Sequence, residues 1–206
     1  MPVSRLRSFV PILAIGLVAS TLATASPVNA QTAAPAASAT GGPAPRDGQH
    51  DFDWMAGTWK ASLKRLVNPL TGSKTWVELS GTQRTWHSLG GRACMDEFVV
   101  ENPTDKTKIE ALTVRLYNPA NQTWSIYWAN AKNGAFSMPA TVGKWENGRG
   151  EFYDYEEWNG RWILVRFTWS DVTPTSAHFE QAFSTDAGKT WEVNWISDLS
   201  RDKAGS

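Results

Sequence analysis

The feature that most constrains this chain is a series of ten short runs rich in aromatic and β-branched residues. The runs recur at a spacing of about 10–12 residues, which is typical of a β-sandwich or a β-barrel. Turn residues separate them, and Asn147-Gly148 and Asn159-Gly160 suit tight hairpins because Asn and Gly tolerate positive φ. No segment shows a sustained helical period, and only residues 50–56 suit a short helical turn.

The runs predict ten antiparallel strands in one domain. They cover residues 58–66, 75–89, 92–100, 109–117, 123–129, 141–146, 150–157, 162–170, 177–184 and 190–199. An open sheet of this size exposes two edges and an apolar face, and closure removes both. We therefore predict an all-β fold, an antiparallel up-and-down barrel of about ten strands with a short N-terminal helical turn. A two-sheet sandwich is the alternative.

Residues 1–30 are typical of a secretory signal peptide. Arg5 and Arg7 precede an apolar stretch over residues 9–22, and Val28-Asn29-Ala30 offers the small residues that a signal peptidase recognises. The apolar stretch is shorter than the ~20 residues of a comfortable membrane span. We predict cleavage near Ala30, a periplasmic or secreted location and no stable membrane insertion of the mature form. An uncleaved membrane anchor is the alternative.

The rest of the chain divides by composition. Residues 31–49 are mostly Ala, Pro, Thr, Ser and Gly and predict a flexible tether, residues 50–201 form the barrel domain, and residues 202–206 form a tail. Without Arg5 and Arg7, 18 basic residues face 20 acidic ones and no basic stripe is present, which argues against nucleic-acid binding. The single cysteine, Cys94, excludes an internal disulfide and suits a small buried side chain.

A short motif opens the first predicted strand. Gly57-Thr58-Trp59 resembles the G-x-W signature of lipocalins and other calycins. Segments 51–54, 124–129, 166–171 and 180–186 extend the likeness, and the domain is similar to a bacterial family of exported, uncharacterised lipocalin-like proteins. The resemblance implies a calycin barrel, with Trp59 closing one end of it near the N-terminal turn. It implies no particular activity.

A second motif lies between the last two predicted strands. Ser184, Asp186, Gly188, Thr190 and Trp191 match the Asp-box pattern S-x-D-x-G-x-T-W, which resembles the repeated boxes of sialidases and other propellers. Here the box occurs once, without the carboxylate pair that sugar cleavage requires. We expect a structural hairpin in which the Asp186 carboxylate accepts backbone hydrogen bonds, Gly188 adopts positive φ and Trp191 packs beneath.

Twelve tryptophans in a chain of 206 residues predict either an aromatic core or an aromatic-lined pocket. Alternation gives three of the predicted strands one apolar face each, with Arg115 and Arg166 on the opposite faces of their strands. These apolar faces are Val165, Phe167 and Trp169; Ile126 and Trp128; and Leu112, Val114 and Leu116. The faces of the last two strands stay open, including those of Glu180 and Asn194, because a one-residue slip exchanges them.

The leading hypothesis is a barrel that binds a small, largely apolar molecule. The candidate ligand-binding residues are Trp128, Trp169, Gln181, Trp195, Arg115 and Arg166, the two arginines serving only if their strands are inverted. Core packing is the alternative role for each of them. The sequence leaves the ligand and the oligomeric state open.

Three other functions remain as alternatives. One is a barrel enzyme of the isomerase or cyclase type, although no catalytic motif is evident. Another is a nitrobindin-like barrel in which His178 ligates haem, the one cofactor considered, since we otherwise expect none. The last is an interaction module with a filled interior. The three histidines are far apart in sequence, and no cluster has the spacing of a metal site.

Overall fold

A computed structural model describes residues 46–201, which form a closed antiparallel barrel. The strands are β1 Gly57–Leu66, β2 Trp76–Ser88, β3 Ala93–Glu101, β4 Lys108–Asn118, β5 Thr123–Asn130, β6 Thr141–Glu146, β7 Arg149–Trp158, β8 Arg161–Ser170, β9 Ser176–Ser184 and β10 Glu192–Ser200. Each strand pairs with its neighbour in sequence, and β1 pairs with β10 to close the sheet. The predicted all-β barrel is confirmed, and the sandwich is not formed.

Three single turns of 3-10 helix complete the described structure. They span Gly48–His50, Asp53–Met55 and Leu89–Gly91, and no described helix has the length and apolarity that crossing a bilayer requires. The first two turns confirm the short helical segment expected before β1. The predicted signal peptide, most of the predicted tether and the tail lie outside the described residues.

The first two turns close one end of the barrel. Phe52, Met55, Trp59 and Trp124 are fully buried there. The Trp59 indole donates to the Met55 carbonyl at 2.7 Å, and the Trp124 indole donates to the Gly48 carbonyl at 2.9 Å. Trp59 thus lies where the calycin resemblance places it. Gly48, which is buried here against Trp124, precedes the predicted first residue of the domain, His50.

The hairpin between β7 and β8 is the clearest case of a local sequence signal that sets a register. Asn159 and Gly160 both have positive φ, as a two-residue turn of this kind requires. Trp158 therefore pairs with Arg161, and the pairs continue to Gly150 opposite Trp169. Since directly opposed residues share a face, this turn decides which side chains of both strands point inward.

Strand β8 follows the predicted alternation, but β4 does not. Val165 and Trp169 are buried inside the barrel, whereas the predicted apolar face of β4, formed by Leu112, Val114 and Leu116, points outward. The inner face of β4 is instead formed by Ala111, Thr113, Arg115 and Tyr117. The prediction was wrong for this strand because hydrophobicity alone favours burying Leu over Arg, whereas the pairing with β3 supplies a carboxylate for Arg115.

A β-bulge decides the faces of β10. The register with β9 shifts between Val193 and Trp195, so Asn194 is the extra residue. As a result Asn194 and Trp195, although adjacent in sequence, both line the interior.

The hairpin between β9 and β10 is held by side-chain hydrogen bonds. Asp186 accepts from the Thr190 backbone N–H at 2.9 Å and from the Thr190 hydroxyl at 2.6 Å, and Ser184 donates to it at 2.8 Å. These bonds, those from Thr190 first, lower the pKa of Asp186 to about 2. Gly188 has a φ of +85° and lies against the Trp191 ring. The likeness to an Asp-box remains a sequence resemblance.

Candidate functional site

The barrel encloses a cavity of about 730 Å³, a size typical of small-molecule sites. It extends from Trp169 and Arg115, which contact residues of the closed end, to the opposite end, where the loops between β3 and β4 and between β5 and β6 line it. Five of the six predicted ligand-binding residues line this cavity, namely Arg115, Trp128, Trp169, Gln181 and Trp195. Their role in binding stays a prediction. The interior is open rather than filled.

Aromatic rings form much of the wall. The Trp128 and Trp195 rings meet edge to face with centroids 6.2 Å apart, although the two residues come from β5 and β10. Phe179 contacts Trp169 at 4.8 Å and Phe167 at 5.4 Å between ring centroids. Trp128, Trp195, Phe167 and Phe179 are only partly buried because they face the cavity. They therefore offer apolar contact area to a ligand.

A buried ion pair lies at the inner end of the cavity. Arg115 bonds a carboxylate oxygen of Asp96, and the Thr113 hydroxyl donates to the other oxygen at 3.1 Å. The guanidinium also lies 5.2 Å from the centroid of the Phe52 ring and 6.0 Å from that of Trp169, within cation–π range. Asp96 thus balances the charge of Arg115, while the Arg115 Nε atom is buried without a hydrogen-bond partner among the described residues.

An amide pair lines the wall between β9 and β10. The Gln181 side-chain nitrogen donates to the Asn194 side-chain oxygen at 2.8 Å. Gln181 was singled out from the sequence as a polar contact, whereas the inward position of Asn194 depends on the bulge. Together they place neutral hydrogen-bonding groups beside the aromatic wall.

The sixth candidate, Arg166, lies on the outer face of β8 and does not line the cavity. Its guanidinium carbon lies 4.4 Å from the centroid of the Trp191 ring, so it packs against the β9–β10 hairpin. The two arginines, expected on equivalent faces, therefore occupy opposite sides of the barrel wall.

Two carboxyl groups of β7 were not identified from the sequence. Asp154 and Glu156 line the cavity on either side of the outward-facing Tyr155. Burial raises the pKa of Asp154, opposed by a hydrogen bond from the Thr141 hydroxyl at 2.6 Å. Burial, and next the nearby Asp154 charge, raise the pKa of Glu156 to about 7. A carboxyl that titrates near neutral pH inside a cavity is a feature of functional sites.

A signal for these two residues was present in the sequence. The alternating tyrosines of β7 suggest the opposite inner face, because tyrosine is the more apolar side chain. The two-residue turn at Asn159-Gly160, however, sets Asp154 opposite Val165, which was correctly assigned to the interior. Combining the turn with the face of β8 would have placed Asp154 and Glu156 inside.

His178 lies outside the cavity. It is on the outer face of β9, where Nδ1 lies 2.7 Å from an Asp198 oxygen and Nε2 lies 3.4 Å from a Glu180 oxygen. Both ring nitrogens face carboxylates, and neither His50 nor His87 lines the cavity. The residues present therefore do not fit a haem held inside the barrel. Within residues 46–201, no group of His, Cys, Asp and Glu has the arrangement of a metal site.

Cys94 is fully buried beneath the ion pair. Burial raises the pKa of its thiol to about 11, so the thiolate is scarce at neutral pH. This agrees with the expected packing role.

Solved structures share this architecture. The S-type phycobiliprotein lyase CPES from Guillardia theta matches with a TM-score of 0.56 and 10% identity, over 78% of this chain and 95% of that chain. Rv2717c from M. tuberculosis matches with a TM-score of 0.51 and 10% identity, over 77% and 99% of the two chains. The closed ten-stranded barrel of this chain is thus similar in fold to these two proteins. No family model matches the chain, and no curated protein sequence matches it.

Proposed function

We propose that this barrel binds a small, largely apolar molecule in its interior. The observation that carries the proposal is the cavity of about 730 Å³, which is lined by the rings of Trp128, Trp169 and Trp195. A cavity that served only folding would be filled by side chains, because empty space forfeits dispersion contacts. Here the space is retained beside large rings, which suits an apolar guest.

Buried polar atoms of the lining support the same proposal. Among the described residues, Arg115 Nε, Trp158 Nε1 and Ser197 Oγ find no hydrogen-bond partner. Unpaired buried groups are costly, by about 1–3 kcal/mol each, unless water or a ligand pairs them. These atoms are candidate anchors for the few polar groups of the guest.

The test has two parts. Native mass spectrometry of protein purified gently from its own host should show an added mass that disappears on denaturation. In addition, the neutral dye N-phenyl-1-naphthylamine should gain fluorescence with the emptied protein. Ser197→Trp, which fills the cavity from a buried position on β10, should weaken dye binding by about tenfold or more.

A matched control is available on the same strand. Ser200→Trp places the same ring at an exposed position and should leave dye binding unchanged. Equal dye binding by the two variants would mean that the dye binds outside the barrel. Absence of both the added mass and dye binding by the folded wild-type protein would overturn the proposal.

We also propose that the protein works outside the cytoplasm. The support is the signal-peptide pattern of residues 1–30 and the resemblance to exported lipocalin-like proteins. Cell fractionation should recover a shortened chain starting near residue 31 in the periplasm or the medium. A full-length cytoplasmic chain would contradict the proposal.

A barrel enzyme is the second candidate, and one observation favours it. The Glu156 carboxyl lines the cavity with a pKa of about 7, which suits a group that accepts and returns a proton. A metabolite screen should then detect turnover that Glu156→Gln abolishes without loss of dye binding. Turnover unaffected by the substitution would exclude this role.

A further inference from the structure

The charged side chains that line the cavity are not evenly paired. Arg115 and Asp96 neutralise each other at the inner end. Asp154 and Glu156 have no such partner, since within residues 46–201 no ion pair joins either of them to a cation. Arg65, Lys108 and Lys132 also line the cavity, but none of them is among the groups that shift the pKa of Asp154 or Glu156. The β7 wall of the cavity therefore carries two carboxyl groups that have no cationic partner among the described residues.

The immediate surroundings of these carboxyls offer them little hydrogen bonding. One Asp154 oxygen accepts from Thr141, while the other, Oδ1, is buried and has no hydrogen-bond partner in residues 46–201. The neighbouring strands β6 and β8 line the cavity with Thr141, Val165, Phe167 and Trp169, none of which is charged. A buried carboxylate without donors is unfavourable, so this wall is suited to a ligand that brings donors and positive charge.

We propose that the cavity selects an apolar molecule with a protonated amine, and that Asp154 and Glu156 bind the ammonium group. The inference rests on the proposed binding function and names the chemical class of the ligand. The two carboxyls alternate with Tyr155 on β7, so they lie on one face about 7 Å apart along the strand. One ammonium group, with its three donors, can bridge side chains at this spacing.

The adjacent lining suits the rest of such a ligand. Phe167 and Trp158 flank the carboxyls on the cavity wall, and an aromatic face beside an ammonium adds cation–π attraction. An ammonium would also favour the ionised form of Glu156, which burial now disfavours. An anionic head group would instead face two carboxyls and is disfavoured at this wall.

The test uses three ligands with one apolar body and different head groups. The probes are 2-naphthylmethylamine, 2-naphthalenemethanol and 2-naphthylacetic acid, titrated into the purified protein by isothermal titration calorimetry. The amine should bind about tenfold or more tightly than the alcohol, and the acid more weakly than both. In the double variant Asp154→Asn/Glu156→Gln the amine should lose this advantage, while binding of the alcohol stays within about threefold.

The control is the next residue along the strand. Glu157 is exposed on the outer face of β7, so Glu157→Gln changes the net charge but not the cavity and should keep the amine preference. Thermal unfolding checks that each variant is folded, and Glu156→Gln alone replaces the double variant if that protein is unstable. In this single variant the amine preference should fall by at least about threefold.

The outcomes separate the two proposals. Equal binding of amine and alcohol by the wild type, or a preference that persists in the carboxyl variants, would overturn the amine inference while leaving the binding function intact. Failure of all three naphthyl ligands and of N-phenyl-1-naphthylamine would overturn the binding function itself. A preference that Glu157→Gln also removes would assign it to general surface charge and overturn the inference.

Discussion

The buried pair Asp96–Arg115 allows a test of how far water reaches the inner end of the cavity. The two side chains are 2% and 5% exposed, and the guanidinium lies between the rings of Phe52 and Trp169. Asp96→Asn keeps the shape of the side chain and its capacity to accept from Thr113, but removes the charge. Arg115 then remains buried as an uncompensated cation.

The expected cost follows from that geometry. Removal of one partner of a buried pair costs about 3–5 kcal/mol, and we expect about 3 kcal/mol because Arg115 borders a cavity that can admit water. A domain of this size has about 5–15 kcal/mol of stability, so the variant should still fold. With a urea dependence of about 2 kcal/mol per molar, the unfolding midpoint should fall by about 1.5 M.

The assay is equilibrium urea unfolding followed by tryptophan fluorescence. Glu97→Gln is the matched control, because Glu97 is the next residue of β3 and is exposed on the outer face. Its effect should stay within about 0.5 kcal/mol. The double variant Asp96→Asn/Arg115→Met should recover most of the lost stability, because it removes the cation that Asp96→Asn leaves unpaired.

Two results would refute this reasoning. A loss below about 1 kcal/mol for Asp96→Asn would mean that water already screens the pair. A double variant no more stable than the single one would mean that the cost comes from altered packing rather than from the unpaired charge.

Three further predictions concern stability. Because burial raises the pKa of Glu156 from 4.5 to about 7, the folded protein holds a proton that the unfolded chain releases, and stability falls as the pH rises between these values. In urea titrations, Glu156→Gln should therefore raise the free energy of unfolding by about 1 kcal/mol at pH 8 and leave it unchanged at pH 4. The expected gain is this small because solvent screens the half-buried carboxyl. An equal gain at both pH values would contradict the prediction. Trp128→Ala enlarges an existing cavity and should lower the free energy of unfolding by about 2 kcal/mol. Trp124→Ala, at the fully packed closed end, should lower it by about 4–5 kcal/mol. Equal losses for the two variants would argue against an open interior. A Cβ at Gly81 would lie 1.9 Å from a backbone oxygen of β3, so Gly81→Ala should lower the free energy of unfolding by more than about 3 kcal/mol. A Cβ at Gly148 meets no described atom within 4 Å, so Gly148→Ala should cost only about 1–2 kcal/mol, because of the positive φ. A smaller loss for Gly81→Ala than for Gly148→Ala in thermal unfolding would refute the clash.

The sequence by itself determined the architecture of this protein. Ten apolar runs separated by turn residues specify ten strands, and short connections force each strand to pair with its neighbour. Asn159-Gly160 fixes a two-residue hairpin through local backbone preferences, and a strand such as β8 shows its buried face by alternation alone. These features depend on interactions between residues close in sequence, which is why a pattern can reveal them.

The tertiary structure decided the contents of the cavity. Arg115 points inward because β3 brings Asp96 beside it. Asn194 lines the wall because a bulge changes the register of β10. Asp154 and Glu156 face the same cavity as Arg115 only because the whole barrel closes. The energy of a buried charge is set by partners distant in sequence, and hydrophobicity along one strand does not contain that information.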